Sequence, residues 1–395
     1  MLTALTADPS ALAQCQYDVT VIAGPECPPF GIPPTRGKAI NEQGDVAGFY
    51  SLCTLGPDRA YVWTADSGLV TLSIPGASEA VATGMSGDRV VGHFIDPGKL
   101  FGAIAFLRDG ADLTIISPLP GDTFSQAFAV NELGQVVGQM ASGGFVWDDG
   151  DLTFLGLVGP GGALPRDMNN AGQVVGWAGD TAPSNPTSRG FIWQDGEFTL
   201  LDAIPGGVTS VALAINNTGI VVGRGLILHP EGFSTRAIVW TEGTMLDIGT
   251  LPGFDLCGAV DINDHGAVIG NCAQSSGPSN DIAFLWQNGS MWSLIDLVHS
   301  DIVASVRRVG AINNQGQITG WGLVSPAIVA LLLTPIDPPP GDLDIDCRVG
   351  IVDLLMLLGN WGPCPSEDCR ADLNGDDQVD VLDFWMLILN WGPGG

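Results

Sequence analysis

The apolar and polar positions of this chain follow a long repeat. A segment of the form A-[IV]-N-x-x-G-x-V-V-G recurs seven times, followed by one close to [RG]-A-[FI]-[VIL]-W and by an alternating segment that ends near Pro-Gly. This alternation, interrupted by Gly at the turns, predicts four short β-strands in each copy. The copies recur every 38 to 50 residues, a period typical of propeller blades. Their closing glycines are Gly48, Gly92, Gly138, Gly176, Gly223, Gly270 and Gly320.

The number of strands suggests how the ends of the repeat array meet. Seven copies of the third strand are followed by only six copies of the fourth. Residues 17–24 precede the first copy and have the length and alternation of the missing strand. Pairing of this segment with the last copy would remove an exposed sheet edge. We therefore predict an all-β, seven-bladed β-propeller over residues 17–334, closed by the N-terminal strand.

The combined motifs identify a resemblance. A-I-N-x-x-G-x-V-V-G, with A-F-[IL]-W and a following L-x-x-[IL]-P-G, resembles the extracellular HAF-repeat family over about 17–334. The resemblance implies repeated extracellular blades and no established activity. The second copy departs from the pattern, because Met85 and Ser86 stand where Asn is expected.

Two positions of the repeat are candidates for ligand binding. The Asn of A-[IV]-N is better explained by a turn in which its side chain bonds the local backbone. The residue after V-V-G varies in chemistry, so packing does not dictate it and it is free to face a ligand. Trp177 and Trp321 at this position are candidates for stacking on a sugar, and Arg224 and His93 at the same position of other copies are further candidate ligand contacts; packing at an exposed strand end is the alternative.

One disulfide follows from strand register. If Ile262 pairs with Ala267 across the sixth hairpin, Cys257 and Cys272 face each other. A bulged loop would shift this register by one residue. Cys27 and Cys53 are a less secure pair, and Cys364 and Cys369 either pair or leave one partner for Cys347.

After the Pro-rich linker 335–341 the chain duplicates a segment. Residues 342–361 align with 372–391, and each copy places oxygen-bearing side chains at loop positions 1, 3, 5 and 12 before an apolar run. A hard cation that takes six to eight oxygen ligands fits this spacing, so we predict two Ca²⁺ ions. The residue at position 6 is not Gly in either loop, which departs from the usual pattern. The predicted ligands are Asp342, Asp344, Asp346, Arg348 through its carbonyl, Asp353, Asp372, Asn374, Asp376, Gln378 through its carbonyl, Asp380 through water, and Asp383.

The duplicated loop and helix, with Asp at position 12, resemble a type I dockerin over about 341–395. The resemblance implies a small α-helical domain at 342–395 with paired EF-hand-like calcium loops, which folds with calcium and docks to a cohesin-like scaffold or cell-surface receptor. The family often has Ser-Thr after position 9, whereas this chain has Ile351-Val352 and Val381-Leu382. A plain calcium-stabilised anchoring module is therefore the alternative.

Composition limits the partners and the compartment. A net charge of −29, with 14 Lys and Arg among 395 residues, excludes a binder that neutralises nucleic-acid phosphates. The apolar stretches are too short for a membrane span. Eight cysteines favour an oxidising compartment, and residues 1–16 resemble the end of a truncated secretory signal, with an ordinary Ala-rich tail as the alternative. We therefore expect a secreted or cell-surface protein.

Two classes of function fit these features. The first is a non-catalytic binding or adhesion protein with a carbohydrate ligand on the propeller. The second is a polysaccharide-degrading propeller enzyme, a glycoside hydrolase or lyase, because dockerin-like tails commonly sit on such enzymes. The sequence holds none of the motifs G-x-S-x-G or H-E-x-x-H, so we predict no catalytic residues and favour binding.

Overall fold

A computed structural model describes most of the chain. The described residues are 17–27, 31–53, 56–98, 102–156, 162–179, 188–230, 232–276, 281–298, 303–336, 340–343, 348–364 and 369–393. They divide into two units: the propeller unit, residues 19–295 and 301–333, and the C-terminal unit, which takes the rest of the chain. The predicted N-terminal tail 1–16 and residues 337–339 of the predicted linker lie outside the described residues. No helix among the described residues is long and apolar enough to cross a membrane.

Four consecutive strands form a module, and the modules follow one another along the chain. Modules 1 to 4 are β2 (Thr35–Ile40), β3 (Val46–Ser51), β4 (Asp58–Thr64), β5 (Gly68–Thr71); β6 (Glu79–Ser86), β7 (Arg89–Ile95), β8 (Ala103–Asp109), β9 (Asp112–Ile116); β10 (Ser125–Val130), β11 (Val136–Met140), β12 (Gly143–Asp148), β13 (Asp151–Phe154); and β14 (Ala163–Met168), β15 (Val174–Gly179), β16 (Ser188–Gln194), β17 (Glu197–Leu200). Modules 5 to 7 are β18 (Gly207–Ile215), β19 (Val221–His229), β20 (Gly232–Thr241), β21 (Thr244–Gly249); β22 (Leu256–Ile262), β23 (Val268–Ala273), β24 (Ile282–Gln287), β25 (Ser290–Ser293); and β26 (Ser305–Ile312), β27 (Ile318–Val324), β28 (Ala327–Pro335) with β1 (Tyr17–Ile22).

Consecutive strands within each module pair antiparallel, as the tight turns between them require. Modules 5 and 6 join into one eight-stranded sheet through a parallel bridge between Thr235 and Leu256. In module 7, β1 lies beside β28 at the edge of the sheet. A 3-10 helix, Leu294–Leu297, follows module 6.

The Asn of A-[IV]-N links neighbouring modules. In module 1, Asn41 Oδ1 accepts the N–H groups of Gln43 and Asp45, which closes the turn, while Asn41 Nδ2 donates to the Gly87 carbonyl of module 2. The predicted local role of the Asn is thus confirmed, and a link between modules is added. The same Nδ2-to-carbonyl bond joins Asn131 to Asn169, Asn169 to Asn216, Asn216 to Asn263, Asn263 to Asn313, and Asn313 back to Asn41.

The second module lacks this Asn for a structural reason. Its hairpin closes directly, with Ser86 paired to Arg89, so there is no longer turn for an Asn to stabilise. The Arg89 guanidinium instead donates to the Glu132 carbonyl of module 3 and pairs with Asp109. The seven links together join each module to the next and the last to the first.

Apolar side chains from the third strands fill the space between modules. Each third strand contributes one fully buried large residue, and burial of such a side chain stabilises the fold by about 2 kcal/mol. These residues are Tyr61, Phe106, Phe145, Phe191, Ile238, Phe284 and Leu331. The glycine of V-V-G keeps the strands close: a Cβ on Gly48 would lie 2.0 Å from the Arg36 carbonyl oxygen. The close approach of neighbouring strands therefore explains the glycine of V-V-G.

The C-terminal unit has little regular structure. Its helices are α1 (Ile351–Gly359) and α2 (Val381–Leu389), and its two-residue strands pair as β29 (Arg348–Val349) with β32 (Gly392–Pro393) and β30 (Gly362–Pro363) with β31 (Gln378–Val379). Leu357 and Leu387, at equivalent positions of the duplication, are fully buried in its core.

The predicted combination of seven separate blades with a small α-helical domain that holds paired EF-hand-like loops is therefore wrong. The described residues hold only two nine-residue helices, interleaved with two-stranded pairs, and no EF-hand domain. Among these residues, the first loop is preceded by strand β28 and not by a helix, and β30 separates α1 from the second loop, so neither loop has the helix–loop–helix arrangement of an EF hand. Modules 5 and 6 also share one sheet, where the prediction had separate blades.

Three disulfides join described cysteines: Cys27–Cys53, Cys257–Cys272 and Cys364–Cys369. The register that predicted the second pair was wrong near the turn, since Ile262 pairs with Val268. A bulge between Ala259 and Asp261 shifts the register back by one residue, so Cys257 still faces Cys272 at a Cα–Cα distance of 4.1 Å. Cys15 and Cys347 lie outside the described residues.

Candidate functional site

The first strand of each module contains a bulge that turns one residue toward the centre of the propeller unit. The register of the first two strands shifts in every module just before the A-[IV]-N turn. A bulge leaves one residue outside the ladder and re-aims its side chain. The bulged residues are Lys38, Thr83, Phe128, Arg166, Leu213, Val260 and Gly310, and all seven line one cavity of about 550 Å³. We call this cavity the channel site.

Basic residues gather at the channel site. Lys38, Arg166 and Arg308 line the cavity. Arg36 and Arg224 lie close enough to influence them: burial and the charges of Arg36 and Arg308 lower the pKa of Lys38, and burial and Arg224 lower the pKa of Arg166. Among the described residues, only Arg308 of these five pairs with a carboxylate, through Nε to Asp281 Oδ2 at 2.6 Å.

Aromatic rings hold two of these guanidinium groups. The Arg166 guanidinium carbon lies 4.6 Å from the ring centre of Phe128 and 4.6 Å from that of Trp177. The Arg36 guanidinium carbon lies 5.5 Å from Phe49 and 5.7 Å from Trp321. These are cation–π distances, so the aromatic side chains fix the direction of the cations.

Two carboxyl groups also line the channel site. Asp167 and Asp261 stand where five of the modules have Ala or Gly. Asp167 Oδ2 accepts the N–H of Ile215 at 2.9 Å, and Asp261 Oδ2 accepts the N–H of Ile312 at 2.8 Å, each across to the next module. Burial raises the pKa of Asp167 to about 6; burial, with the charge of Asp167, raises the pKa of Asp261 to about 8.

The residues predicted to bind ligand are only partly brought together. Trp321 lines the channel site, and Trp177 adjoins it through Arg166. Arg224 is exposed and lies against Gly258. His93 is half-buried; burial lowers its pKa, and its buried Nδ1 has no hydrogen-bond partner within the described residues. Their roles stay predictions.

Sequence reasoning missed the bulged residues. The residue before the Ala of A-[IV]-N varies from Lys to Gly between modules, which is the same signal that drew attention to the residue after V-V-G. An alternating pattern does not reveal a bulge, so this position looked like an ordinary strand residue.

The predicted calcium loops are described in part. Asp344, Asp346 and the Arg348 side chain lie outside what the structure describes. In the second loop, Asp372 accepts the N–H groups of Gly375, Asp376 and Asp377, and Asp383 is buried and accepts those of Leu373, Asn374 and Asp380. Asp377, at position 6, takes the left-handed conformation that Gly usually supplies, with φ of 65°. The donor set is all oxygen, which suits a hard cation, yet no three acidic, His or Cys side chains of the described residues already converge on a metal position.

Similarity to solved structures places the propeller unit in a fold class. The chain is similar to the β-propeller domain of the Trilobed protease from Pyrococcus furiosus, with 12% identity over 76% of this chain and 95% of that chain, and a TM-score of 0.50. It is similar to an oligogalacturonate lyase in complex with manganese, with 11% identity over 82% of this chain and 98% of that one, and a TM-score of 0.51.

These similarities show a β-propeller fold, and at this identity they show the fold alone. No protein-family model matches the chain. No curated protein matches it either.

Proposed function

We propose that this is a secreted or cell-surface binding protein whose propeller holds a carbohydrate ligand in the channel site. The observation that carries the proposal is the cavity of about 550 Å³, lined by one bulged residue from each module. This volume is within the range of small-ligand sites. The bulged residues differ between modules, so shared packing does not account for them. Glycan binding by the full chain, lost when Leu213→Trp places a bulky ring in the cavity, tests the proposal.

We assign the C-terminal unit an attachment role, in line with its resemblance to dockerins. The helices expose apolar side chains that a small unit would bury if it acted alone: Leu389 is 81% exposed and Ile351 is 69% exposed. Equivalent positions of the duplication, Val352 and Leu382, are also exposed. An apolar surface of this kind suits a protein partner such as a cohesin-like scaffold or receptor. Retention of the full chain, but not of Leu355→Asp, on an immobilised cohesin tests this role.

We further propose that the loops at 342–353 and 372–383 bind two Ca²⁺ ions. The all-oxygen donor set and the left-handed Asp377 support the proposal. A change in the thermal unfolding of the full chain on adding Ca²⁺, absent when Asp372 and Asp376 are both replaced by Ala, is the expected result. An unchanged unfolding profile at millimolar Ca²⁺ would contradict it.

The second candidate function is a polysaccharide-degrading enzyme. Asp167 and Asp261 favour it, because a carboxyl with a raised pKa in a cavity is suited to general acid catalysis. Release of reducing sugar by the wild-type chain, abolished in Asp261→Asn, would establish this alternative in place of simple binding. Tight glycan binding without sugar release would support the first proposal.

A further inference from the structure

We infer that the ligand of the channel site is an acidic oligosaccharide whose carboxylates are bound by Lys38, Arg166 and Arg308. The inference rests on the proposed function, which supplies the site, and it narrows the ligand from carbohydrate in general to chains that contain uronic acids.

The distribution of charge is the first reason. The chain carries −29 overall and only 14 basic residues. Five of them, Arg36, Lys38, Arg166, Arg224 and Arg308, lie in or beside the channel site. A local excess of positive charge in an acidic protein attracts anions to that position and repels cations from it.

The second reason is that two of these cations have no carboxylate partner among the described residues. Within the described part of the chain, Lys38 and Arg166 form no ion pair with a carboxylate, although both face the cavity. Asp167 and Asp261 form no ion pair with them among the described residues; the Oδ2 atoms accept the N–H groups of Ile215 and Ile312, and Asp167, with a pKa of about 6, keeps most of its charge at neutral pH. The raised pKa of Asp261, about 8, keeps that group largely uncharged at neutral pH. The positive charge of the site is therefore available to a ligand.

The aromatic contacts distinguish a carboxylate from a neutral sugar. Arg166 lies against both Phe128 and Trp177, so the ring face that would stack on a sugar is already in contact with a guanidinium. A guanidinium stacked in this way keeps its N–H donors in its own plane, where they match the two oxygens of a carboxylate. Trp177 and Trp321 thus orient the arginines, which is a different role from the sugar stacking that the sequence suggested.

The spacing of the cations indicates an extended ligand. Lys38 belongs to module 1, Arg308 to the adjacent module 7 and Arg166 to module 4. Three links separate module 4 from module 1 in one direction and four in the other, so Arg166 and Lys38 lie on different sides of the cavity. A chain with a carboxylate on each sugar can reach both, whereas a single small anion reaches one.

The test is isothermal titration calorimetry of the full chain at low salt with four probes of equal length. They are an oligogalacturonate, its methyl ester, a neutral oligosaccharide and a sulfated oligosaccharide. We expect the oligogalacturonate to bind at least tenfold more tightly than each of the others. Arg166→Gln should weaken its binding at least tenfold, and Leu213→Trp should abolish it. Arg189→Gln, which removes an exposed charge outside the cavity lining, should change the affinity less than twofold.

The outcomes separate the inference from the proposed function. If the methyl ester or neutral chain binds as tightly as the acid and Leu213→Trp abolishes that binding, the channel site stands and the acidic ligand is wrong. Equal binding of the sulfated chain would replace carboxylate recognition by general anion binding and overturn the inference. If no probe binds, or if binding survives Leu213→Trp in a chain that unfolds at the wild-type temperature, both are wrong.

Discussion

The link between the last and first modules is open to a direct stability test at Asn313. The Asn313 side chain is 4% exposed. Its Nδ2 donates to the Asn41 carbonyl at 2.9 Å and to Gln317 Oε1 at 2.8 Å, and its Oδ1 accepts the N–H groups of Gln315 and Gln317. Asn313→Ala removes these four hydrogen bonds and leaves the Asn41 carbonyl without this donor.

At about 1 kcal/mol for each hydrogen bond, the expected loss is roughly 4 kcal/mol of unfolding free energy. Urea unfolding followed by tryptophan fluorescence measures it as a lower midpoint. Gln43→Ala is the matched control, because Gln43 is an exposed residue in the equivalent turn of module 1, and it should cost less than about 0.5 kcal/mol. A loss below about 1 kcal/mol in Asn313→Ala would refute the view that these side chains hold the modules together.

Three further predictions follow from the structure. Burial raises the pKa of Asp261 from 3.8 to about 8 in the folded chain. The contribution of this group to the unfolding free energy should therefore be greatest below pH 4 and should fall, by on the order of 5 kcal/mol, as the pH rises to 8. Asp261→Asn should flatten that profile in thermal melts between pH 4 and 9; an unchanged slope would refute the assignment. Replacing Cys257 and Cys272 by Ala should cost about 3 kcal/mol in urea, since the bond closes a loop of 15 residues, and an unchanged midpoint would contradict this. Arg89→Ala should lower the melting temperature, because Arg89 donates to the Glu132 carbonyl of module 3, and an unchanged melting temperature would argue against that link.

The repeat pattern was enough to predict the strands, since alternation and turn residues are local signals. The path of the strands near each turn was not predictable from alternation, as the pairing of Ile262 with Val268 shows. The bulge adds one residue, shifts the register and turns Lys38 or Arg166 into the cavity. Asp167 and Asp261 were visible as departures from Ala, but their meaning depends on the burial that only the assembled ring provides.

In the C-terminal unit the sequence located the helices but did not give their arrangement in a domain. The duplication located both helices, because their apolar runs follow the acidic loops at equal distance. The helices stop at Gly359 and Leu389, and short strands follow each of them, so a resemblance in sequence did not give the domain architecture. The exposure of the other apolar side chains on these helices depends on the packing of Leu357 and Leu387 into the core, which a local pattern does not give.

A crystal structure of the full chain with a bound oligogalacturonate tests the central claim most directly. We predict electron density for the sugar chain in the channel site, with one carboxylate within hydrogen-bond distance of the Arg166 guanidinium and another near Lys38. Density for the ligand on any other surface, or in the cavity with its carboxylates directed away from these cations, would contradict it.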